Sequence, residues 1–152
     1  MKLWPMLVIL TILCWGAYVP MIHNGQLGFG PKPNALRAFL FVGVAYFLVS
    51  LAVLGWMLVS RTEPLVMTSR GVSLSTMAGV LGAIGALGIV FALMYGGSIS
   101  VVPPLVFAGA PIVSTFVALL WHKPTQSIHP MFFVGIVLAA VGASIVLRFK
   151  PS

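Results

Sequence analysis

The sequence predicts an all-α integral membrane protein, a bundle of five transmembrane helices forming one domain over residues 1–152. Three observations predict it. Of 152 residues, 61% are hydrophobic and 6% charged, whereas a soluble domain carries roughly 25% charged residues. The mean hydropathy is +1.16, more apolar surface than a soluble core of this size can bury, so much of it must face lipid. Five apolar runs approach the roughly 20 residues that cross a hydrocarbon core of about 30 Å at about 1.5 Å per residue, and none contains a charge.

The first span covers about residues 3–22. Lys2 before an apolar stretch resembles a secretory signal, but the run continues through Trp15 and Tyr18 without a small-x-small cleavage site, and Leu13 before Cys14 makes a poor lipoprotein box. The stretch therefore reads as a membrane span. His23 to Asn34, HNGQLGFGPKPN, is rich in Gly and Pro and reads as a loop. The second span covers about 38–59 and is followed by a loop from Ser60 to Ser73. Its Glu63, the only acidic residue, is expected to form a solvated ion pair with Arg61 or Arg70. The third span, about 74–95, and the fourth, about 101–121, are joined only by Gly96 to Ser100, which implies antiparallel neighbours. After Trp121 to His129, Pro130 suits the first turn of a fifth span over about 130–147.

Eight Lys or Arg against one acidic residue give a net charge of +7. These cations are scattered singly at the ends of apolar runs, where headgroup anchors sit, and form no basic face for nucleic acid. The implied partner is the lipid bilayer. With five spans the termini lie on opposite sides. Lys2, Arg61, Arg70 and Lys123 then fall on one side and Lys32, Arg37, Arg148 and Lys150 on the other. A bias in such residues normally fixes orientation. An even tally implies either insertion both ways or an orientation set by a few unequal contributions.

Small residues form stripes. Gly79, Gly82, Gly85 and Gly88 recur at every third position of the third span, and Gly135, Ala139 and Ala143 recur at every fourth in the fifth. In lipid, small residues let helix backbones approach closely, within one bundle or toward a second subunit. Pro103, Pro104 and Pro111 interrupt the fourth span, the last two being expected well inside the helix. There they either kink a packed helix or help to line a pathway. Thr11, Cys14, Trp15 and Tyr18 fall on one stripe of the first span, and Tyr46 and Ser50 on one of the second. Trp15 and Tyr18 lie deeper than an interfacial belt normally does, so the stripe lines a cavity or packs between helices.

No span carries a carboxylate for proton coupling. A lone Cys14 excludes an intramolecular disulfide and a thiolate cluster. His23, His122 and His129 are too separated for a metal site, although a proton link through His23 stays open. With no nucleophile–base pair, phosphate loop or metal-ligand spacing, neither an enzyme nor a cofactor is expected.

WGAYVP (Trp15 to Pro20), ALRAF (Ala35 to Phe39), the stretch from Gly85 to Leu120 and FVGIVLAAVGASIVL (Phe133 to Leu147) follow one another in an order and spacing that resemble the drug/metabolite transporter superfamily, in its EamA-like branch. The resemblance covers most of the chain. It implies a five-helix half of an inverted two-half transporter. The partner would be a second copy in an antiparallel homodimer, or a related membrane protein. By similarity, Trp15 and Gly16 fall on the first-helix motif, Arg37 on the basic residue opening the second helix, and Tyr95, Pro104 and Pro111 on the helices lining the path. Two departures stand out. Trp121, His122 and Lys123 occupy the place of a Gly-Glu pair, and the first helix lacks the carboxylate of the small multidrug members, which removes the basis for proton-coupled export of cationic drugs. The expectation is a small transporter, in the bacterial inner membrane, that moves a small-molecule substrate by alternating access. Its rival is a membrane subunit that only packs.

Overall fold

The computed structural model describes residues 3–30, 34–121 and 128–149. They form α1 (Trp4–Gly28), α2 (Ala35–Ser60), α3 (Ser69–Met94), α4 (Val102–Trp121) and α5 (Pro130–Arg148). No strand occurs among the described residues. All five helices are long and apolar enough to cross a membrane, so the chain is an all-helical, multi-pass membrane protein. Lys2, Lys32, His122, Lys123 and Lys150 lie outside the described residues.

Helix ends differ from the sequence expectation in ways that matter for the site. The first helix runs past residue 22 to Gly28, so most of the expected loop from His23 is helical. Asn24 and Gly25 favour turns, but Ile22 and Gln26 on the same turns are buried, and that packing outweighs local preference. Pro20 thereby becomes interior to α1. Lacking an N–H, it gives the carbonyl of Gly16 no helical donor. The backbone N–H of Asn34 reaches back to the carbonyl of Gln26 at 3.2 Å and closes the connection to α2.

At the other end of α2, Arg61 adopts a left-handed conformation (φ 50°) and donates its N–H to Met57 at 3.0 Å. The expected loop from Ser60 to Ser73 contracts because Thr68 caps α3, its hydroxyl accepting from the N–H of Gly71 at 3.2 Å. Glu63 is exposed in that connection and forms no ion pair among the described residues. Gly96, at φ +93°, follows the end of α3, where a left-handed residue closes a helix and glycine is the usual choice.

The fourth helix corrects one reading. It begins at Val102, which puts Pro104, expected well inside the helix, in its first turn beside Pro103. The first four N–H groups of a helix have no internal acceptor, so these prolines remove no ladder bond. Only Pro111 interrupts the ladder. In α5, Pro130 opens the helix as expected, and His129 Nδ1 accepts from the N–H of Met131 at 3.2 Å.

The chain divides into two compact units, Met1–Gly96 and Gly97–Ser152. In the first, α1, α2 and α3 all touch one another. Its buried residues gather toward one end: Val19, Ile22 and Gln26 of α1, Ala35 and Ala38 of α2, and Ile89, Val90 and Leu93 of α3. Gln26 is fully enclosed and donates from Nε2 to the carbonyl of Val90 at 3.4 Å, tying α1 to α3. In the second unit α4 packs against α5, and neither helix contains a buried residue.

Candidate functional site

Three cavities that share Tyr46 open between the helices of the first unit. The largest, about 600 Å³, lies between α1 and α2 and is lined by residues that include Cys14, Tyr18, Met21, Phe41, Tyr46 and Val49. One of about 410 Å³ lies among all three helices, with Trp15, Val42, Gly43 and Tyr46 facing Ala78, Gly79, Gly82, Ala83 and Ala86. A third, about 170 Å³, is lined by Cys14, Trp15, Tyr18, Tyr46 and Ala86. Tyr46 lines all three, so they form one branched cleft around its ring.

The depth of this cleft follows from helix register. Trp15 and Tyr46 fall at the middle of α1 and α2, and Gly82 at the middle of α3. A span centred on the bilayer thus places them near its midplane, not in an interfacial belt. The Trp15 and Tyr18 rings have centroids 6.1 Å apart, tilted at 46°. The lining is apolar apart from a few groups, chiefly the Tyr18 and Tyr46 hydroxyls, the Trp15 indole N–H and the Cys14 thiol. No charged side chain lines any of the three cavities. Tyr46 is 62% exposed and Trp15 45%, so the cleft is open along its side.

Trp15, Tyr18 and Tyr46 therefore converge, while the other expected pathway residues do not join them. Gly16 is exposed and lines none of the three cavities. Arg37 lines a separate cavity of about 320 Å³ with Asn34, Phe91 and Met94, near the last turn of α3. Tyr95 is 80% exposed at the end of α3 and stacks on Phe91 at 6.2 Å. Pro104 and Pro111 belong to the second unit.

The glycine stripe takes a different place from helix packing alone. Gly79 and Gly82 line the α2–α3 side of the cleft. A Cβ built at Gly79, Gly82, Gly85 or Gly88 meets nothing within 4 Å among the described residues, and the same holds at Gly135. Ala139 is exposed and Ala143 half-exposed. These small faces are open rather than closed against a neighbouring helix.

Val42 and Phe41 line the cleft without having been singled out in the sequence. Val42 and Val49 stand four before and three after Tyr46 along α2, so helical periodicity from Tyr46 finds Val42 but not Phe41, five before it. Gln26 looked like a loop residue and gave no such signal.

No family model matches the sequence, and comparisons with curated proteins and with solved structures give no match. The class defined by the fold is accordingly the multi-pass helical membrane protein, with an uncharged cleft at mid-depth.

Proposed function

We propose that the chain is a small membrane transporter that carries a small metabolite or other amphipathic solute through the cleft around Tyr46, working by alternating access as a pair of five-helix halves. The observation that carries this reading is the position of the cleft. Solute sites in transporters lie near the bilayer midplane, on interrupted helices, and here Trp15 and Tyr46 face Gly79 and Gly82 at that depth, with Tyr18 beside them.

The open side of the cleft supports a second half as its missing wall, supplied by a second copy or a related membrane protein. The resemblance of WGAYVP and the α3–α4 stretch to the drug/metabolite transporter superfamily, EamA-like branch, points the same way. The even distribution of cations about the membrane favours an antiparallel homodimer, placed in a bacterial inner membrane. With no intramembrane carboxylate in the spans, movement is by facilitated diffusion or exchange. The chain has no enzymatic role in this reading and needs no cofactor.

Reconstituted protein loaded with a mixed metabolite pool should release particular solutes faster than empty vesicles, and Trp15→Ala should abolish the difference. A C-terminal tag should be reachable from both sides of intact membranes. Failure of any solute to move, alone or with a related chain, contradicts the proposal. The open faces of α3 and α5 give a second reading some support: a non-transporting subunit whose exposed stripes pack on a larger complex. In that case Gly82→Leu disrupts assembly, and Trp15→Ala has no effect.

A further inference from the structure

The connection between α2 and α3 carries apolar residues that no span accounts for. α2 ends at Ser60 and α3 begins at Ser69. Between them Leu65, Val66 and Met67 are consecutive and exposed. The enclosed cluster of the first unit lies at the opposite ends of these two helices, around Ala35 and Leu93, so the protein interior takes up none of the three. Left in water, they would forgo the gain that burial brings.

Helix length places the connection against the bilayer surface. Helices of 26 residues reach about 39 Å, against a hydrocarbon core of about 30 Å and roughly 40 to 45 Å with both headgroup layers. Trp56, exposed on the last turns of α2, is the kind of ring that settles at the boundary of the core. Arg61 stands five residues further on, about 7 Å at the helical rise, which is the level of the lipid phosphates.

Charge at this edge fits the same surroundings. Arg61 and Arg70 flank the segment, both exposed and neither in an ion pair among the described residues. Arg70 lies in the first turn of α3 with no acidic neighbour there, where the helix dipole opposes a cation. Glu63 alone cannot balance both arginines. The backbone needs water and stays among the headgroups, with the Val66 N–H turned back to the carbonyl of Pro64 at 2.8 Å.

We infer that the α2–α3 connection is an anchor for anionic lipid, with Leu65, Val66 and Met67 entering the upper acyl layer and Arg61 and Arg70 holding the lipid phosphates. The anchor does not depend on whether the cleft carries a solute. The full chain, with Cys14→Ser and a bimane dye on Val66→Cys, is reconstituted into vesicles of equal parts phosphatidylcholine and phosphatidylglycerol. Quenching is read with iodide on both faces, and with a nitroxide on the upper acyl chain of one lipid or the other.

The nitroxide lipids should quench the dye and iodide should barely reach it. Nitroxide phosphatidylglycerol should quench roughly threefold more than nitroxide phosphatidylcholine, since each arginine near an anionic surface contributes up to about a fivefold preference. Arg61→Gln with Arg70→Gln should bring that ratio close to one. Leu65→Ser with Met67→Ser should expose the dye to iodide while helix content by circular dichroism stays the same. Iodide quenching as strong as that of the free dye would place the segment in water, as a surface for a soluble partner would be, and overturns the inference. So does a lipid ratio of one in the unsubstituted segment, or one that is indifferent to the arginine substitutions.

Discussion

The two units of the chain solve the membrane problem differently. In the first, helices of 25, 26 and 26 residues enclose a cluster toward one end and hold a cleft open near their middle. In the second, helices of 20 and 19 residues pack on each other with nothing buried in either. At about 1.5 Å per residue, the longer helices exceed a hydrocarbon core of about 30 Å and must tilt or project, whereas the shorter pair matches it. Two helices cannot surround a side chain and three can. The difference teaches that an enclosed cluster of the kind centred on Val19 and Val90 arises only where a third helix is available.

Substitution in the two cores should break this comparison most visibly. Leu93, 4% exposed, should cost about 2 kcal/mol or more on change to Ala, because a cavity opens in an enclosed site. Leu138, 64% exposed on α5, should cost well under that, since lipid refills the space. Steric-trap unfolding in bicelles measures both, and equal losses would show that the two units do not differ in this way. For function, Trp15→Ala or Tyr46→Ala should reduce flux by roughly tenfold or more by removing an aromatic wall, with helix content by circular dichroism unchanged.

Smaller effects sharpen the account of helix ends. Thr68→Ala removes the side-chain cap of α3 and should cost about 1 kcal/mol in the same unfolding measurement. Gln26→Leu should be nearly neutral. The residue is fully enclosed, its side-chain bond to Val90 is long at 3.4 Å, and its Oε1 has no partner among the described residues, so a similar-sized apolar side chain loses little and buries no unpaired acceptor. Gln26→Ala, which leaves a cavity, should cost more than Gln26→Leu, and the reverse order would mean that the amide is the main tie between α1 and α3.

Much of this fold is legible because lipid imposes a simple rule: a charge-free run of sufficient length spans. The number of helices and the apolar centres of each follow from that rule and from where Arg61, Arg70 and Glu63 fall. The ends are less legible. Asn24 and Gly25 carry turn preferences that packing of Ile22 and Gln26 overrides, and Thr68 starts α3 five residues before the expected span. Pro104 is harmless for a reason visible only once α4 is known to begin at Val102.

Of the site, the stripe carrying Trp15 and Tyr18 is readable from steps of three and four, as is Tyr46 at a matching depth. That Gly79 and Gly82 face the same cleft is not, since a small residue reads equally as close packing or as open space. Only the placement of α2 beside α3 decides between them.

The central claim, that the cleft around Tyr46 is an aqueous solute path and not a lipid-filled gap, is tested most directly at the chain's single cysteine. Cys14 is exposed and lines two of the three cavities at mid-depth. Thiol chemistry needs the thiolate, and thiolate forms where water reaches. In native membranes, a water-soluble, membrane-impermeant methanethiosulfonate should label Cys14, and Tyr46→Trp should slow that labelling by filling the cleft. Labelling only by a lipid-permeant maleimide, at a rate indifferent to Tyr46→Trp, would contradict the account.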